Sequence, residues 1–392
     1  MGALLTVFLK ELRENARDRR TMLSALVLGP LGAPLLFTIM LNATIERSHE
    51  RAEQPLELSV VGRASAPNLV AFLEREGVRV HDIPGGDAQA AAIVRGHGTR
   101  LALVIPPDYG ARFATARPAR VQLYTDTADA SAGTDRARAQ SLLRGYAGQI
   151  ATWRLQARGI SPSITQPVVV DEVDVSTPAA RALAVLGMLS YFIVFATLMG
   201  GLYVAIDATA GERERGSLEP LLTLPVSRSA LVAGKILTAS AYMALSLGLT
   251  VTAFSVCLRF LHLDSLGMAL ELSPRIGLAI FGVVLPFVLL GASLMTIVAS
   301  FTRSYREAQS WLAAVILVPT VPIMFAGVYQ VELRSSLLWI PSLSQHLLIG
   351  ALLKGDSLQP SDVLLSVGTT LAAGLLLAGI AMRLYEREKI LG

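Results

Sequence analysis

The residues best equipped for chemistry in this sequence lie between two apolar runs, from Asp207 to Arg228. They read Asp207-Ala-Thr-Ala-Gly-Glu212-Arg213-Glu214-Arg215-Gly216-Ser217-Leu218-Glu219-Pro220, then Leu221 to Leu224, Pro225, Val226, Ser227 and Arg228. Gly216 breaks the chain, Ser217 is an N-cap candidate, and Glu219 puts a carboxylate in a first helical turn. Pro225 ends the segment. The pattern predicts a short capped helix set between charged residues, shaped to dock on another protein. Taken alone, an ordinary loop helix fits it equally well.

Little else points to catalysis. The five histidines (His49, His81, His97, His262 and His346) scatter in loops, with no H-E-x-x-H among them. The single cysteine, Cys257, sits inside an apolar run, so neither a disulfide framework nor a cysteine metal site is expected. Asp126 and Asp129 are two carboxylates in a turn, where solvation is the usual role. No G-x-x-x-x-G-K-(S/T) phosphate loop occurs; Gly234-Lys235 is followed by Ile236 and lacks the upstream glycine. Any ATP-driven work would therefore draw on a partner.

The elements that must carry these residues are apolar. Of 392 residues, 53% are hydrophobic and 16% charged, against about 25% charged in a soluble domain. The excess is clumped into Met22–Asn42, Ala182–Ile206, Ile236–Leu258, Ile276–Ser300, Ser310–Gln330 and Asp362–Arg383. Each is close to the roughly 20 residues that a helix needs to cross hydrocarbon. The fold class expected is an α-helical polytopic membrane protein with six transmembrane helices. The first run, with Pro30 and Pro34 as kinks, reads as an uncleaved anchor rather than a signal peptide. A further stretch, Ser336–Leu353, is interrupted by Pro341, Gln345 and His346 and reads as re-entrant or interfacial. The spans offer hydroxyls but no ionisable groups, which argues against an intramembrane enzyme or a proton-coupled carrier.

Orientation follows from the flanking bases. With the N-terminus in the cytoplasm, the inside segments (1–21, 207–235, 301–309 and the tail from Arg383) hold fourteen Lys/Arg, against four in the short outside loops. Both termini are expected inside and residues 43–181 outside. That stretch carries 16 basic and 15 acidic residues, so the net +4 reflects membrane orientation and not nucleic-acid binding. It reads as an extracytoplasmic α/β domain. Strands are expected at Leu56–Val61, Val78–Ile83, Leu101–Ile105, Val121–Tyr124 and Val168–Val175, and helices at Asn68–Glu76, Ala88–Arg95 and Ser131–Arg158, forming a mixed sheet.

At the N-terminus, Leu4, Leu5, Phe8, Leu9 and Leu12 form an apolar stripe. Lys10, Glu11, Arg13, Glu14, Arg17, Asp18, Arg19 and Arg20 supply the polar side. Such a helix lies in the bilayer interface with arginines at the phosphates, or acts simply as a positive-inside signal.

The segment Gly211-Glu-Arg-Glu-Arg-Gly-Ser-Leu-Glu-Pro-Leu-Leu-Thr-Leu-Pro225, preceded by Asp207, resembles the signature of ABC transporter permeases of the ABC-2 type. Gly234-Lys235 and the N-terminal Lys10-Glu11 with Arg17-Asp18-Arg19-Arg20 agree. Ser304-Tyr305-Arg306-Glu307-Ala308-Gln309, Pro341-Ser342-Leu343 and Tyr385-Glu386-Arg387-Glu388-Lys389 are similar to the sodium-efflux, NatB-type branch. The resemblance implies a type V exporter-like permease that dimerises, has no nucleotide-binding site of its own, and is driven by a separate ABC ATPase subunit holding ATP and Mg. It gives Gly216–Pro225 the role of coupling helix and residues 1–21 that of an elbow helix. Glu212, Arg213, Glu214 and Arg215 would brace the two, and Arg303, Arg306 and Glu307 would form a second cytoplasmic loop. Residues 22–42 would be the first span, and 182–392 the remaining five with a coupling loop at 207–235. Exporters of lipids, peptides or drugs share this architecture, and a membrane-anchored ligand-binding sensor is a further alternative.

The charge asymmetry makes a direct prediction. With Cys257 replaced, a cysteine at Ser131 reacts with an impermeant thiol reagent added to intact cells, and one at Ser217 does not. Equal labelling at both sites would refute this orientation.

Overall fold

A computed structural model describes residues 2–96, 98–127, 129, 132–165, 178, 187–217, 220–221, 225–261, 272–329 and 331–386. The chain divides into two compact units, Met1–Thr44 with Asp174–Gly392, and Ile45–Val173.

The first unit opens with helix α1 (Ala3–Arg17). It stops at Asp18, whose carboxylate accepts from the backbone N–H (3.3 Å) and the hydroxyl (2.5 Å) of Thr21 and so starts α2 (Arg19–Leu23). A π-helical turn, Ser24–Leu28, leads into α3 (Gly29–Glu53). Here the N–H of Gly29 bonds to Ser24 O, five residues back, just before Pro30, which has no N–H to give. The backbone thus meets Pro30 with a widened turn, while Pro34 lies inside α3.

The second unit holds β1 (Glu57–Val61), α4 (Pro67–Arg75), β2 (Arg79–Asp82), α5 (Asp87–Arg95), β3 (Leu101–Val104), α6 (Tyr109–Ala114), β4 (Gln122–Thr125) and α7 (Ala132–Gln156). The strand order is β2-β1-β3-β4; β1 runs parallel to β2 and β3, and β4 antiparallel to β3. Strand periodicity sorts the core. Leu58, Val60, Leu101 and Leu103 face α4 and α7, while Val61, Ala102 and Val104 face Ala90 and Val94 of α5. With both faces covered, every residue of β3 is buried, which is why it reads as an unbroken apolar run. The short α6 has too few residues for periodicity to reveal it. The strand expected at Val168–Val175 lies outside the described residues.

The first unit resumes with α8 (Leu189–Ile206), α9 (Arg228–Cys257), α10 (Pro274–Ser300), α11 (Tyr305–Tyr329), α12 (Leu343–Lys354) and α13 (Pro360–Glu386). Among the described residues, six helices are long and apolar enough to cross a membrane: Thr21–Arg47, Leu189–Glu214, Arg228–Phe260, Pro274–Ser300, Tyr305–Tyr329 and Pro360–Glu386. The helices overrun the apolar runs at their polar ends. The third begins at Arg228 rather than Ile236, capped by the Ser227 hydroxyl, and the fifth at Tyr305 rather than Ser310. Hydropathy marks the lipid-crossing length, whereas caps mark where a helix starts. Residues 182–186 of the expected second span, Ala182–Ile206, lie outside the described residues.

The second of these helices is the axis of the unit: 72% of its apolar window is buried, against 17% for the last. Phe37 of α3 meets Phe192 of α8 at 5.4 Å and Phe254 of α9 at 5.9 Å between ring centroids. The stretch Ser336–Leu353 becomes a 3-10 turn (Ser335–Leu337) and the twelve-residue α12, too short to span. The buried Gln345 of α12 donates to Thr370 Oγ1 of α13 at 3.0 Å, and His346 Nδ1 lies 2.5 Å from Ser190 Oγ of α8. Burial holds the His346 imidazole below its ordinary basicity. His346 is thus on a packed helix rather than in a loop, as His49 is on α3 and His81 on β2; His97 and His262 lie outside the described residues.

Close helix approach depends on glycine. A Cβ at Gly200 would sit 2.3 Å from Ser246 Cβ, and one at Gly201 2.4 Å from Met243 Cγ. The serine Cβ is fixed to its helix, whereas the methionine side chain can swing aside. Gly200→Ala is therefore expected to cost about 1–3 kcal/mol through overpacking, and Gly201→Ala less. Thermal unfolding of the purified variants reads this order; the reverse order would contradict the contact.

Candidate functional site

The site begins where α8 loses its regular pitch. After Ile206 the helix widens into a π-helical turn, Asp207–Gly211, and continues through Glu212–Glu214. In an α-helix the N–H of Glu212 would bond to Ala208 O; here it bonds to Asp207 O instead. The freed carbonyl of Ala208 is buried and needs a donor. Lys235 of α9 supplies it at 2.5 Å, and the same ammonium pairs with the Glu212 carboxylate. Lys235 and Glu212 are 3% and 5% exposed, so both charges depend on each other for compensation. Between their end residues the apolar runs hold no Asp, Glu, Lys, Arg or His, but the helices that contain them do.

Helix α1 completes the cluster. Glu11, only 2% exposed, places its carboxylate 3.8 Å from Lys235 Nζ. Lys10 bridges Glu11 (3.0 Å), Glu14 (2.8 Å) and Glu212 (3.7 Å). Partial burial works against the Lys10 charge, but its hydrogen bonds to Glu14 and Glu11 outweigh that and raise its basicity; Lys10 in turn holds Glu14 below the usual carboxylate range. The buried residues of α1 are therefore Glu11 and Asn15, not the apolar stripe, of which Leu4 and Leu5 are exposed. The crossing with α9 falls at Gly234, where a Cβ would meet Val7 Cγ1 at 2.6 Å. One and two turns on, the hydroxyls of Thr238 and Tyr242 reach Phe8 O and Leu12 O, each at 3.4 Å.

The other charges of the segment also have separate partners. Arg213 Nη1 donates to Thr302 O at 2.7 Å, between α10 and α11. Glu214 Oε2 accepts from the backbone N–H of Tyr305, the first residue of α11, at 2.7 Å. A carboxylate at a helix N-terminus is favoured by the dipole. Arg215 pairs with Asp207 at 2.7 Å. Gly216 then ends the helix at φ +67: its N–H bonds to Arg213 O and that of Ser217 to Glu212 O, the two bonds of a Schellman motif. Gly216 thus terminates the second span's helix, and the Ser217 hydroxyl donates back to Glu212 O at 3.2 Å while the Ser217 carbonyl accepts from the Leu221 N–H at 3.4 Å. Leu218, Glu219 and residues 222–224 lie outside the described residues; Pro225 is exposed.

The remaining candidates are dispersed. Arg13, Arg17 and Arg19 are exposed, Asp18 caps α2, and Arg20 lies within α2. Around the start of α11, the Ser304 hydroxyl accepts from the Glu307 N–H (3.3 Å) and Glu307 Oε2 from the Arg303 N–H (2.8 Å), while Arg306 is exposed. Sequence reasoning noted Gly234-Lys235 within the resemblance but gave Lys235 no role in the site, although a lysine directly before a long apolar run, beside a glycine, was the available signal. It also gave no role to Arg228, which donates to Tyr385 O at 3.3 Å, or to Ser300, which donates to the Tyr385 hydroxyl at 2.9 Å. Among the described residues no three His, Cys, Asp or Glu side chains are grouped to hold a metal ion.

Two comparisons bear on this arrangement. The profile of the ABC-2 family transporter proteins matches residues 5–390. The chain is also 27% identical, over 378 residues, to the ABC transporter permease protein NatB of Bacillus subtilis (strain 168), covering 93% of this chain and 92% of that protein.

Removing Lys235 alone leaves two buried carboxylates with only the half-exposed Lys10 as counter-charge. Lys235→Met is expected to cost about 3–5 kcal/mol. Combined with Glu212→Gln, the loss falls short of the sum of the single losses by about 0.5–3 kcal/mol, the signature of a coupled pair. Unfolding in mixed micelles, run as a double-mutant cycle, checks this; strict additivity would disprove the pairing.

Proposed function

The chain belongs to the ABC-2 family of transporter proteins and is a multi-pass transporter permease, and we propose that it serves an ATP-driven exporter powered by a separate ABC ATPase subunit. The ATPase docks on the cytoplasmic face at Gly216–Pro225, the permease works as a homodimer, and residues 43–181 lie outside the membrane. ATP and Mg belong to the partner.

One observation carries the coupling. Glu212, Arg213 and Glu214 are consecutive, yet they bind three different places: α9 with α1, the carbonyl at the end of α10, and the amide that starts α11. A displacement applied just after Gly216 reaches four elements through polar contacts one residue apart. An ordinary connector needs no such anchoring. The buried Glu11–Lys235 contact makes α1 part of the same lever, which fits the role of an elbow helix.

The cargo we assign is the sodium ion, on the similarity of Ser304–Gln309, Pro341–Leu343 and Tyr385–Lys389 to the sodium-efflux branch. The same architecture could serve a lipid, peptide or drug, so cargo needs its own experiment. Vesicles holding this permease and the ATPase encoded beside it should move radiolabelled sodium against its gradient when ATP is supplied. ATP turnover without sodium movement removes the cargo assignment and leaves the coupling intact.

Coupling is tested on the segment itself. Glu219→Lys reverses the charge that the sequence pattern assigns to a first helical turn and is expected to weaken ATPase association, as read by pull-down, while the permease stays monodisperse. Gly216→Val forces a β-branched residue to positive φ, where a Cβ would meet no described atom within 4 Å, at a strain of about 1–3 kcal/mol. It should uncouple ATP hydrolysis from transport. Wild-type association and transport in both variants would reduce the segment to a plain loop.

A further inference from the structure

The α/β unit contains a cavity of about 300 Å³ that no step of transport requires. Its wall is aromatic and aliphatic. Tyr109 and Phe113 of α6 stack with ring centroids 5.7 Å apart, and Tyr146 and Ile150 line it from α7. Two arginines, Arg117 and Arg154, complete the lining, and no carboxylate is present there.

These two arginines differ from others in the unit. Arg63, Arg79, Arg100 and Arg112 lie within ion-pair distance of Glu74, Glu57, Asp135 and Asp108 respectively. Among the described residues, neither Arg117 nor Arg154 has an acidic partner. Arg154 is nonetheless held in place: Nη2 donates to Phe113 O at 2.7 Å, and the guanidinium lies 4.6 Å from the Phe113 ring centroid. Its other N–H groups stay available at the cavity. A guanidinium already fixed by the fold loses little freedom on binding, and its planar fork suits a carboxylate. Burial, reinforced by Tyr146, pushes the Tyr109 phenol up to about 12, so the wall itself stays uncharged.

We propose that this cavity is a binding site for a small amphipathic carboxylate, with its apolar body against Tyr109, Phe113 and Ile150 and its anionic group on Arg154 and Arg117. The volume lies at the lower end of the 300–1,000 Å³ typical of ligand sites, which limits the body to roughly one or two rings or a short chain.

The full chain in lipid nanodiscs is dialysed to equilibrium against radiolabelled naphthoate, with empty nanodiscs as the background. Saturable uptake of one molecule per chain is expected, and naphthamide, the uncharged counterpart, should bind at least about tenfold more weakly. Arg154→Gln and Arg117→Gln should each weaken naphthoate by a similar factor. Ala147→Trp, an exposed position on the cavity rim, should block it. Among the described residues the Arg117 side chain makes no hydrogen bond or ion pair, so Arg117→Gln keeps the test valid if Arg154→Gln proves unstable by thermal unfolding. Uptake no greater than in empty nanodiscs, equal binding of the amide, or wild-type binding in Arg117→Gln and Ala147→Trp would overturn the proposal.

Discussion

A lysine buried in the middle of a polar cluster organises the membrane-spanning unit. Lys235 has Glu212 on one side, Glu11 on another and the carbonyl of Ala208 as a third acceptor. A lone ammonium at 3% exposure would be severely penalised by desolvation. With two carboxylates and a carbonyl around it, the charge is tolerated, but only while three separate helices keep their positions. The cluster therefore acts less as a source of stability than as a condition on geometry: α1, α8 and α9 must meet there together.

Several irregularities follow from that condition. The π-helical turn at Asp207–Gly211 is what frees the Ala208 carbonyl for Lys235. Gly234, one residue before the lysine, removes the side chain that would keep α1 at a distance. Beyond the cluster, Arg213 and Glu214 hand the connection on to the ends of α10 and α11, and the Schellman motif at Gly216 ends the helix immediately afterwards. Rigid attachment and abrupt termination of the helix thus sit side by side at Gly216.

The α/β unit obeys a different logic. Its sheet is covered on both faces by helices, so ordinary hydrophobic burial suffices and its charged residues stay at the surface. That contrast explains why its strands were legible from apolar runs and turn residues. Leu101–Val104 could be recognised because a doubly covered strand is apolar throughout. The helix Tyr109–Ala114 could not, since six residues do not establish a period.

Composition and the spacing of apolar runs determined, without any structure, that the chain is a polytopic membrane protein, because the length of a lipid-crossing helix is set by the bilayer. Motif spacing likewise marked Glu212–Gly216 as unusual. What only the tertiary structure decided is the partner of each charge. Glu11 and Lys235 are far apart in sequence, and each looks like a solvated surface residue beside an apolar run. Glu11 even belongs to the side of α1 that hydropathy assigns to water. Burial of a charge depends on where its counter-charge arrives in space, and that distance is fixed by how α1, α8 and α9 cross.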